Sequence, residues 1–143
     1  MNYEEIMRKV NLAVDEFYAR DSILLETDGS EWSVAHRIAV CLENYFVGWN
    51  IDCEYNRVGL DGIKKTNANG DRTHPDIIIH HRGMGEKEHN VLVIEIKIYD
   101  SADDHDKLID FTSLPHGNRR YQYQFGLALS FKPKLEKKWF PMG

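Results

Sequence analysis

The chain has 143 residues, of which 42% are hydrophobic and 29% are charged, an ordinary composition for one globular domain. Its formal net charge of −5 argues against a protein that binds nucleic acid through overall positive charge. The sequence contains no apolar run of bilayer-spanning length, no signal-peptide pattern and only two cysteines, too few for a disulfide framework. We therefore expect a single domain over residues 1–143, located in the cytoplasm and without membrane contact.

Two helices are predicted before the first strand. Residues 2–19 place apolar side chains at helical spacing and are interpreted as an N-terminal helix. Ser30 is a suitable N-cap for a second helix over residues 30–46. The apolar stripe of that helix consists of Val34, Ile38, Cys41, Leu42 and Tyr45.

Three strands are predicted next. Residues 50–58 alternate between apolar and polar side chains and form the first strand, and the Gly- and Asn-rich segment 59–72 is a loop. Residues 73–79 and 91–98 are apolar runs that predict the second and third strands. The polar, Gly-containing segment 82–89 between them predicts a hairpin connection.

The last part of the chain predicts a helix and a fourth strand. Ser101 and Asp104 have the spacing of a capping box, and the helix that follows is expected to end near Pro115. Residues 121–131 alternate large apolar side chains with smaller or polar ones, which predicts a strand. We interpret Trp139 and Phe140 as part of a tail that packs on the sheet.

The second and third strands carry charged residues where a purely structural strand would not. Strand alternation places Glu95 and Lys97 on one face of the third strand, opposite its apolar residues. If the hairpin folds about residues 85 and 86, Asp76 lies opposite Glu95. Two carboxylates and a lysine then converge at one end of a two-stranded ribbon.

Such a convergence is costly without a bound cation, because neighbouring carboxylates repel each other. Oxygen-rich clusters of this size suit Mg²⁺ or Mn²⁺, which take one or two carboxylates together with waters and substrate phosphate oxygens. Lys97, two residues after the glutamate, could orient or deprotonate an attacking water, or stabilise charge on the phosphate.

Pro75-Asp76 and Glu95-Ile96-Lys97 together resemble the motif of the PD-(D/E)xK nuclease superfamily, which has the restriction-endonuclease-like fold. The resemblance implies an α/β domain with an αβββαβ core, in which a mixed central sheet is flanked by helices, and residues 2–19 would be an extra N-terminal helix. It also implies metal-dependent cleavage of nucleic-acid phosphodiesters, with DNA as the expected substrate. The segment Cys53-Glu54-Tyr55-Asn56-Arg57, together with His36-Arg37 before it and the two motif strands after it, further resembles a group of small, functionally uncharacterised bacterial proteins within that superfamily. This resemblance spans roughly residues 30–131 and supplies no known substrate.

The resemblance also implies roles for individual residues. Asp76 and Glu95 would bind Mg²⁺, the backbone carbonyl of Ile96 would be a further ligand, and Lys97 would position the attacking water. An acid from the helix before the sheet often joins such a site, and Glu31 would then hold a metal-bound water or a second metal ion. Helical geometry places Glu31 within roughly 40° of the centre of the apolar stripe. Glu31 could equally complement the positive end of its helix.

Several alternatives stay open at this point. Glu95 and Lys97 could be a solvated pair on an exposed strand face. A non-catalytic module with the same fold could bind nucleic acid or a protein partner, and a homodimer is a further alternative. Three candidate basic patches are Lys64-Lys65, Arg119-Arg120 and residues 132–138, although each could be ordinary surface.

Overall fold

The structure is a computed structural model. It describes residues 1–27, 29–55, 74–100, 105–117, 119 and 121–141. Several predictions fall outside the described residues: the loop 59–72, the capping box of Ser101 and Asp104, Lys64-Lys65 and Arg120. Residues 56–58 of the first predicted strand and residue 73 of the second also fall outside them.

The N-terminal part is helical, as predicted. Helix α1 spans Tyr3–Asp21 and begins at Asn2, whose side chain accepts a hydrogen bond from the backbone N–H of Glu5 at 2.8 Å. A short helix α2 spans Ile23–Glu26. Helix α3 spans Glu31–Glu43, and the predicted N-cap is confirmed because the Ser30 hydroxyl accepts from the backbone N–H of Ser33. Helix α3 ends three residues earlier than predicted.

The remaining elements are five strands and one helix. Strands β1 (Asn50–Cys53), β2 (Ile77–His80) and β3 (Asn90–Tyr99) precede helix α4 (Asp106–Thr112), which is followed by β4 (Phe125–Lys132) and β5 (Glu136–Phe140). They form one sheet in the order β1-β2-β3-β4-β5. Strands β3 and β4 are parallel, and the other neighbours are antiparallel. The predicted α/β class, with a mixed sheet flanked by helices, is confirmed.

The predicted hairpin register is confirmed in the middle of β2 and β3. Ile77 pairs with Ile94 and Ile78 pairs with Val93, which places the centre of the hairpin between residues 85 and 86. The register shifts between Ile79 and His80, and a short 3-10 turn at Lys87–His89 leads into β3. Strand β2 begins only at Ile77, two residues after Pro75, which has no N–H to give to a sheet.

The end of the chain differs from the prediction in two places. The predicted fourth strand starts at Phe125 rather than at residue 121, because Tyr121 and Tyr123 instead pack beneath α4, where Tyr123 N donates to the Phe111 carbonyl at 2.9 Å. The C-terminal tail packs on the sheet as predicted, and it does so as the fifth strand. The lysine-rich β5 is an edge strand, a position where charge discourages further pairing.

The two faces of the sheet are covered unequally. Helices α1 and α3 bury one face, against residues such as Ile79, Leu92 and Ile94. On the other face, α4 packs through Leu108 and Phe111. Because α4 has only seven residues, the described helices leave part of this second face uncovered. Among the described residues, no helix is long and apolar enough to cross a membrane.

Candidate functional site

A pocket of about 440 Å³ lies over the uncovered part of the second sheet face. Its walls come from the start of α3, the segment before β2, the ends of β3 and β4, helix α4 and strand β5. The acidic residues that line it are Glu31, Asp76, Glu95, Asp100 and Glu136. The lysines that line it are Lys97, Lys107 and Lys138. All five site residues expected from the sequence are therefore in or at this pocket, since Ile96 also lines it.

Asp76 is positioned by the place where β2 begins. Continuing the β2–β3 register by one residue sets Asp76 opposite Glu95. Its carboxylate accepts a hydrogen bond from the backbone N–H of Ile96 at 2.7 Å, and its carbonyl accepts one from the backbone N–H of Glu54 at 3.1 Å. Because β2 begins only at Ile77, the Asp76 side chain, and not a β2 carbonyl, accepts from the Ile96 N–H of β3. This contact holds the Asp76 carboxylate against β3.

Glu95 lies on the same face and is mostly buried, with 14% of its side chain exposed. Burial, and then the hydrogen bond and the negative charge of Asp76, raise the pKa of Glu95 from 4.5 to about 8. Burial and the neighbouring carboxylate therefore make the ionised form of Glu95 unfavourable when no metal ion is bound.

Lys107 contacts this pair from helix α4. Its ammonium lies 2.8 Å from Glu95 Oε1 and donates a hydrogen bond to the His74 carbonyl at 3.0 Å. Glu95 Oε1 is buried, and within the described residues no donor is aligned with it as a hydrogen bond. The Lys107 ammonium favours the ionised form of Glu95 and lowers its pKa, although burial and Asp76 raise the pKa by more.

Lys107 is not an ordinary solvated surface lysine. Only 34% of the side chain is exposed, because it lies between Glu95 and the segment before Asp76. No local pattern marks this lysine in the sequence. Its one signal is its position near the start of the helix that must cross back over the face that carries Glu95.

Lys97 lies two residues beyond Glu95 and lines the same pocket, on the face that strand alternation predicts. Its side chain is exposed. The ammonium that contacts the Glu95 carboxyl is that of Lys107, and Lys97 lies nearer to solvent.

Glu31 reaches the site from the first turn of α3. Its carboxylate accepts a hydrogen bond from the backbone N–H of Ile98 at 3.1 Å. N–H groups two residues apart point to the same side of a strand, so Asp76 and Glu31 bind successive N–H groups of β3 on the side where β2 is absent. Glu31 is exposed. Its position against the end of β3 could not be predicted from its angle around the helix alone.

Few side chains are placed to act together as ligands of a metal ion. Across the described parts of the chain, no three His, Cys, Asp or Glu side chains converge as a metal-binding group. The structure thus brings Glu31 into the pocket but not into one ligand group with Asp76 and Glu95. The backbone carbonyl of Ile96 is a further possible metal ligand. It lies on the side that faces Asp76, because the N–H and C=O of one strand residue point the same way.

A second polar cluster lies on the same sheet face, in β1 and at the end of β2. His80 Nε2 lies 2.7 Å from Asp52 Oδ2, and Arg82 Nε donates to the same oxygen at 2.8 Å. Although burial raises the pKa of Asp52, hydrogen bonds from Arg82 and His80 outweigh it and lower the pKa. This cluster joins β1 to the β2–β3 hairpin and is not among the residues that line the pocket.

In the candidate patch Arg119-Arg120, Arg119 does not lie on the surface, and Arg120 is outside the described residues. Arg119 is 1% exposed, and its guanidinium donates to the carbonyls of Ser113, Leu114 and Tyr121. It therefore holds together the connection between α4 and β4 and is not available to a nucleic acid. In the third patch, Lys138 lines the pocket, whereas Lys137 donates to the Asn11 side chain on the opposite face of the sheet.

Comparison of the chain with protein-family models, curated proteins and solved structures gives no match. The interpretation of the pocket therefore depends on the geometry and charge of its own residues.

Proposed function

We propose that the chain is a metal-dependent nuclease that hydrolyses phosphodiester bonds of nucleic acid, with DNA as the expected substrate. The observation that carries this proposal is the placement of Asp76 beside Glu95 across two antiparallel strands, in one pocket with Lys97. Buried paired carboxylates destabilise a fold unless they serve a purpose, and strained electrostatics of this kind concentrate at functional sites.

The order of the elements supports assignment to the PD-(D/E)xK superfamily and its restriction-endonuclease-like fold. Helix α3, strands β1 to β3, helix α4 and strand β4 follow one another in the order αβββαβ. Helix α1 would be the additional N-terminal helix, and β5 is a further addition at the sheet edge. The motif residues lie at the start of β2 and within β3, the two adjacent central strands on which the motif depends.

The residues present fit Mg²⁺ or Mn²⁺. Asp76, Glu95 and the Ile96 carbonyl would hold the ion, and within the described residues Glu95 Oε1 is a buried oxygen without an aligned hydrogen-bond donor. Mg²⁺ usually takes only one or two carboxylates and completes its shell with waters. When bound, such an ion supplies a water of lowered pKa and a positive charge that offsets charge on the phosphate.

Three side chains of the pocket would have separate roles in the reaction. Lys97 would orient the attacking water and stabilise negative charge on the phosphate from the open side of the pocket. Asp76, held by the Ile96 N–H, would keep its carboxylate fixed while the substrate binds. Glu31, held by the Ile98 N–H, would orient a water through its second carboxylate oxygen.

The test is cleavage of a panel of duplex, single-stranded and branched DNA and RNA in the presence of Mn²⁺. We expect metal-dependent cleavage of DNA that falls by at least about 100-fold in Asp76→Asn and in Glu95→Gln. Glu136→Gln is the matched control and should keep the wild-type rate. Glu136 lines the same pocket from β5 but is not part of the pair of Asp76 and Glu95. Cleavage that survives in both acid variants would disprove the site assignment.

A non-catalytic module that binds nucleic acid or a protein partner is the second candidate. The observation in its favour is that Glu95 already has a cation partner, Lys107, in a chain with a net charge of −5. A wild-type protein that neither cleaves any substrate nor gains thermal stability from millimolar Mn²⁺ would favour this candidate. A homodimer stays a prediction, and size measurement in solution tests it.

A further inference from the structure

The Lys107 ammonium contacts two parts of the candidate site at once. It lies 2.8 Å from Glu95 Oε1 and donates to the carbonyl of His74, two residues before Asp76. The ammonium also lies 5.8 Å from the centre of the Phe111 ring. Helix α4 therefore delivers one positive charge to the buried oxygen of Glu95.

Glu95 Oε1 is buried, and the structure aligns no hydrogen-bond donor with it in the described parts of the chain. The Lys107 ammonium, 2.8 Å away, is the cation that lies against this oxygen. A cation that bound both Asp76 and Glu95 would need the same oxygen or the space beside it, and two positive charges at this distance would repel each other.

We infer that the Lys107 ammonium occupies the cation position of the metal-free site, and that a divalent metal ion binds Glu95 only by displacing it. This inference depends on the proposed metal site and adds to it a residue that sets the metal affinity. Lys107 is a positioning residue in this account, because it acts through Glu95.

A thermodynamic cycle gives the direction of the effect. Removing the ammonium takes a favourable ion pair from the metal-free protein, whereas the metal-bound protein has already lost that pair. The metal-free state is therefore destabilised more than the metal-bound state, and metal binding becomes tighter. For an ion pair that is partly exposed, the expected change is a dissociation constant lower by about fivefold or more.

The displaced side chain has room to move. It is 34% exposed, so the ammonium can turn towards the open pocket while its bond to the His74 carbonyl keeps it at the wall. Metal binding therefore requires a change of side-chain position and no movement of α4.

The experiment measures Mn²⁺ binding by titration calorimetry at one fixed pH, in protein stripped with EDTA and without substrate. Lys107→Met removes the charge and keeps an unbranched side chain. Lys107→Arg keeps the charge. Lys138→Met removes a charge that lines the same pocket from β5. We expect Lys107→Met to lower the dissociation constant by about fivefold or more, and both other variants to stay within twofold of wild type.

The outcomes separate this inference from the proposed function. Equal Mn²⁺ affinity in wild type and Lys107→Met, or an equal gain in Lys138→Met, overturns the inference and leaves the metal site standing. Binding that is detectable only in Lys107→Met supports it. Absence of binding in every variant overturns both the metal site and the inference.

A measurement on the unaltered protein guards against a variant that fails to fold. In protein labelled with ¹⁵N-lysine, the Lys107 ammonium resonance, assigned by its loss in Lys107→Arg, should shift on addition of Mg²⁺. The Lys138 resonance should shift much less. An unshifted Lys107 resonance under saturating Mg²⁺ overturns the inference.

Discussion

Asp76 combines a structural contact with its place in the candidate site. Its carboxylate accepts from the Ile96 N–H at 2.7 Å, and its negative charge raises the pKa of Glu95. A substitution at this position therefore changes two interactions of opposite sign. Loss of the acceptor destabilises the strand end, while loss of the charge relieves repulsion with Glu95.

The two effects are separable by choice of substitution. Asp76→Asn keeps an oxygen for the Ile96 N–H, so we expect a free energy of unfolding close to that of wild type. Asp76→Ala leaves that N–H without its side-chain acceptor and should be less stable than Asp76→Asn by about 1–3 kcal/mol. Urea denaturation in EDTA measures both. Equal stability of the two variants would show that the hydrogen bond contributes nothing.

The raised pKa of Glu95 predicts an unusual pH dependence. Between the unfolded value of 4.5 and the folded value of about 8, the folded protein binds more protons than the unfolded chain. The contribution of Glu95 to stability is therefore complete below pH 4.5 and is lost as the pH rises towards 8, by an amount on the order of 3 kcal/mol.

Denaturation of wild type and Glu95→Gln at several pH values in EDTA isolates this contribution. The wild type should lose stability relative to the variant as the pH rises from 5 to 8. A difference between the two proteins that stays constant over this range would contradict the raised pKa.

Lys97 is expected to act on the reaction and not on the fold. Because its side chain is exposed at the open side of the pocket, Lys97→Met should change the free energy of unfolding by no more than about 0.5 kcal/mol. The single-turnover cleavage rate should fall by about 100-fold or more, with substrate affinity nearly unchanged. Lys138→Met is the control for loss of one positive charge. A rate within a few-fold of wild type would remove Lys97 from the catalytic residues.

At the scale of elements, the site exists because β3 is longer than β2. Strand β3 has 10 residues and β2 has four, so the far end of β3 has no β-strand neighbour on one side among the described residues. The carboxylates of Asp76 and Glu31 bind the N–H groups of Ile96 and Ile98 there. The short helix α4 then leaves the other face of this strand end open.

The packing of α4 on β4 depends on Gly126. A Cβ at this position would lie 3.3 Å from both Leu108 Cδ2 and Thr112 Cγ2, closer than side chains normally pack. We expect Gly126→Ala to be tolerated with a small shift, and Gly126→Val to displace α4 and cost about 1–3 kcal/mol in free energy of unfolding.

The same helix carries Lys107, so displacement of α4 should also weaken the ion pair with Glu95. The Lys107→Met change should therefore cost less stability in the Gly126→Val background than in wild type, and a double-mutant cycle measures this. Additive effects of the two substitutions would show that Gly126 does not position Lys107.

At the scale of the whole molecule, metal binding and stability should be linked. An ion that binds the folded protein and not the unfolded chain stabilises it by about 2.7 kcal/mol when its concentration is 100 times the dissociation constant. Saturating Mn²⁺ should thus raise the melting temperature of wild type by several degrees, whereas Asp76→Asn with Glu95→Gln combined should show no rise. A rise that persists in this double variant would place the metal elsewhere.

Much of the fold was predictable from local patterns. The class, the cap of α3 at Ser30, the hairpin register and the face that carries Glu95 and Lys97 all follow from hydrophobic periodicity and strand alternation. These features depend on residues close together in the sequence. Element ends were less predictable, as β4 shows, because Tyr121 and Tyr123 have strand-like alternation but are buried under α4.

The sequence by itself determined that Asp76 and Glu95 would face each other, because a hairpin register depends on one local turn. Only the tertiary structure decided that the Lys107 ammonium contacts Glu95 and that the Glu31 carboxylate binds the end of β3. Lys107 and Glu31 come from helices on opposite faces of the sheet, and their approach to β3 depends on helix length and packing. It also decided that Arg119 is buried. Contacts between distant segments are set by the packing of the whole core, which no local pattern encodes.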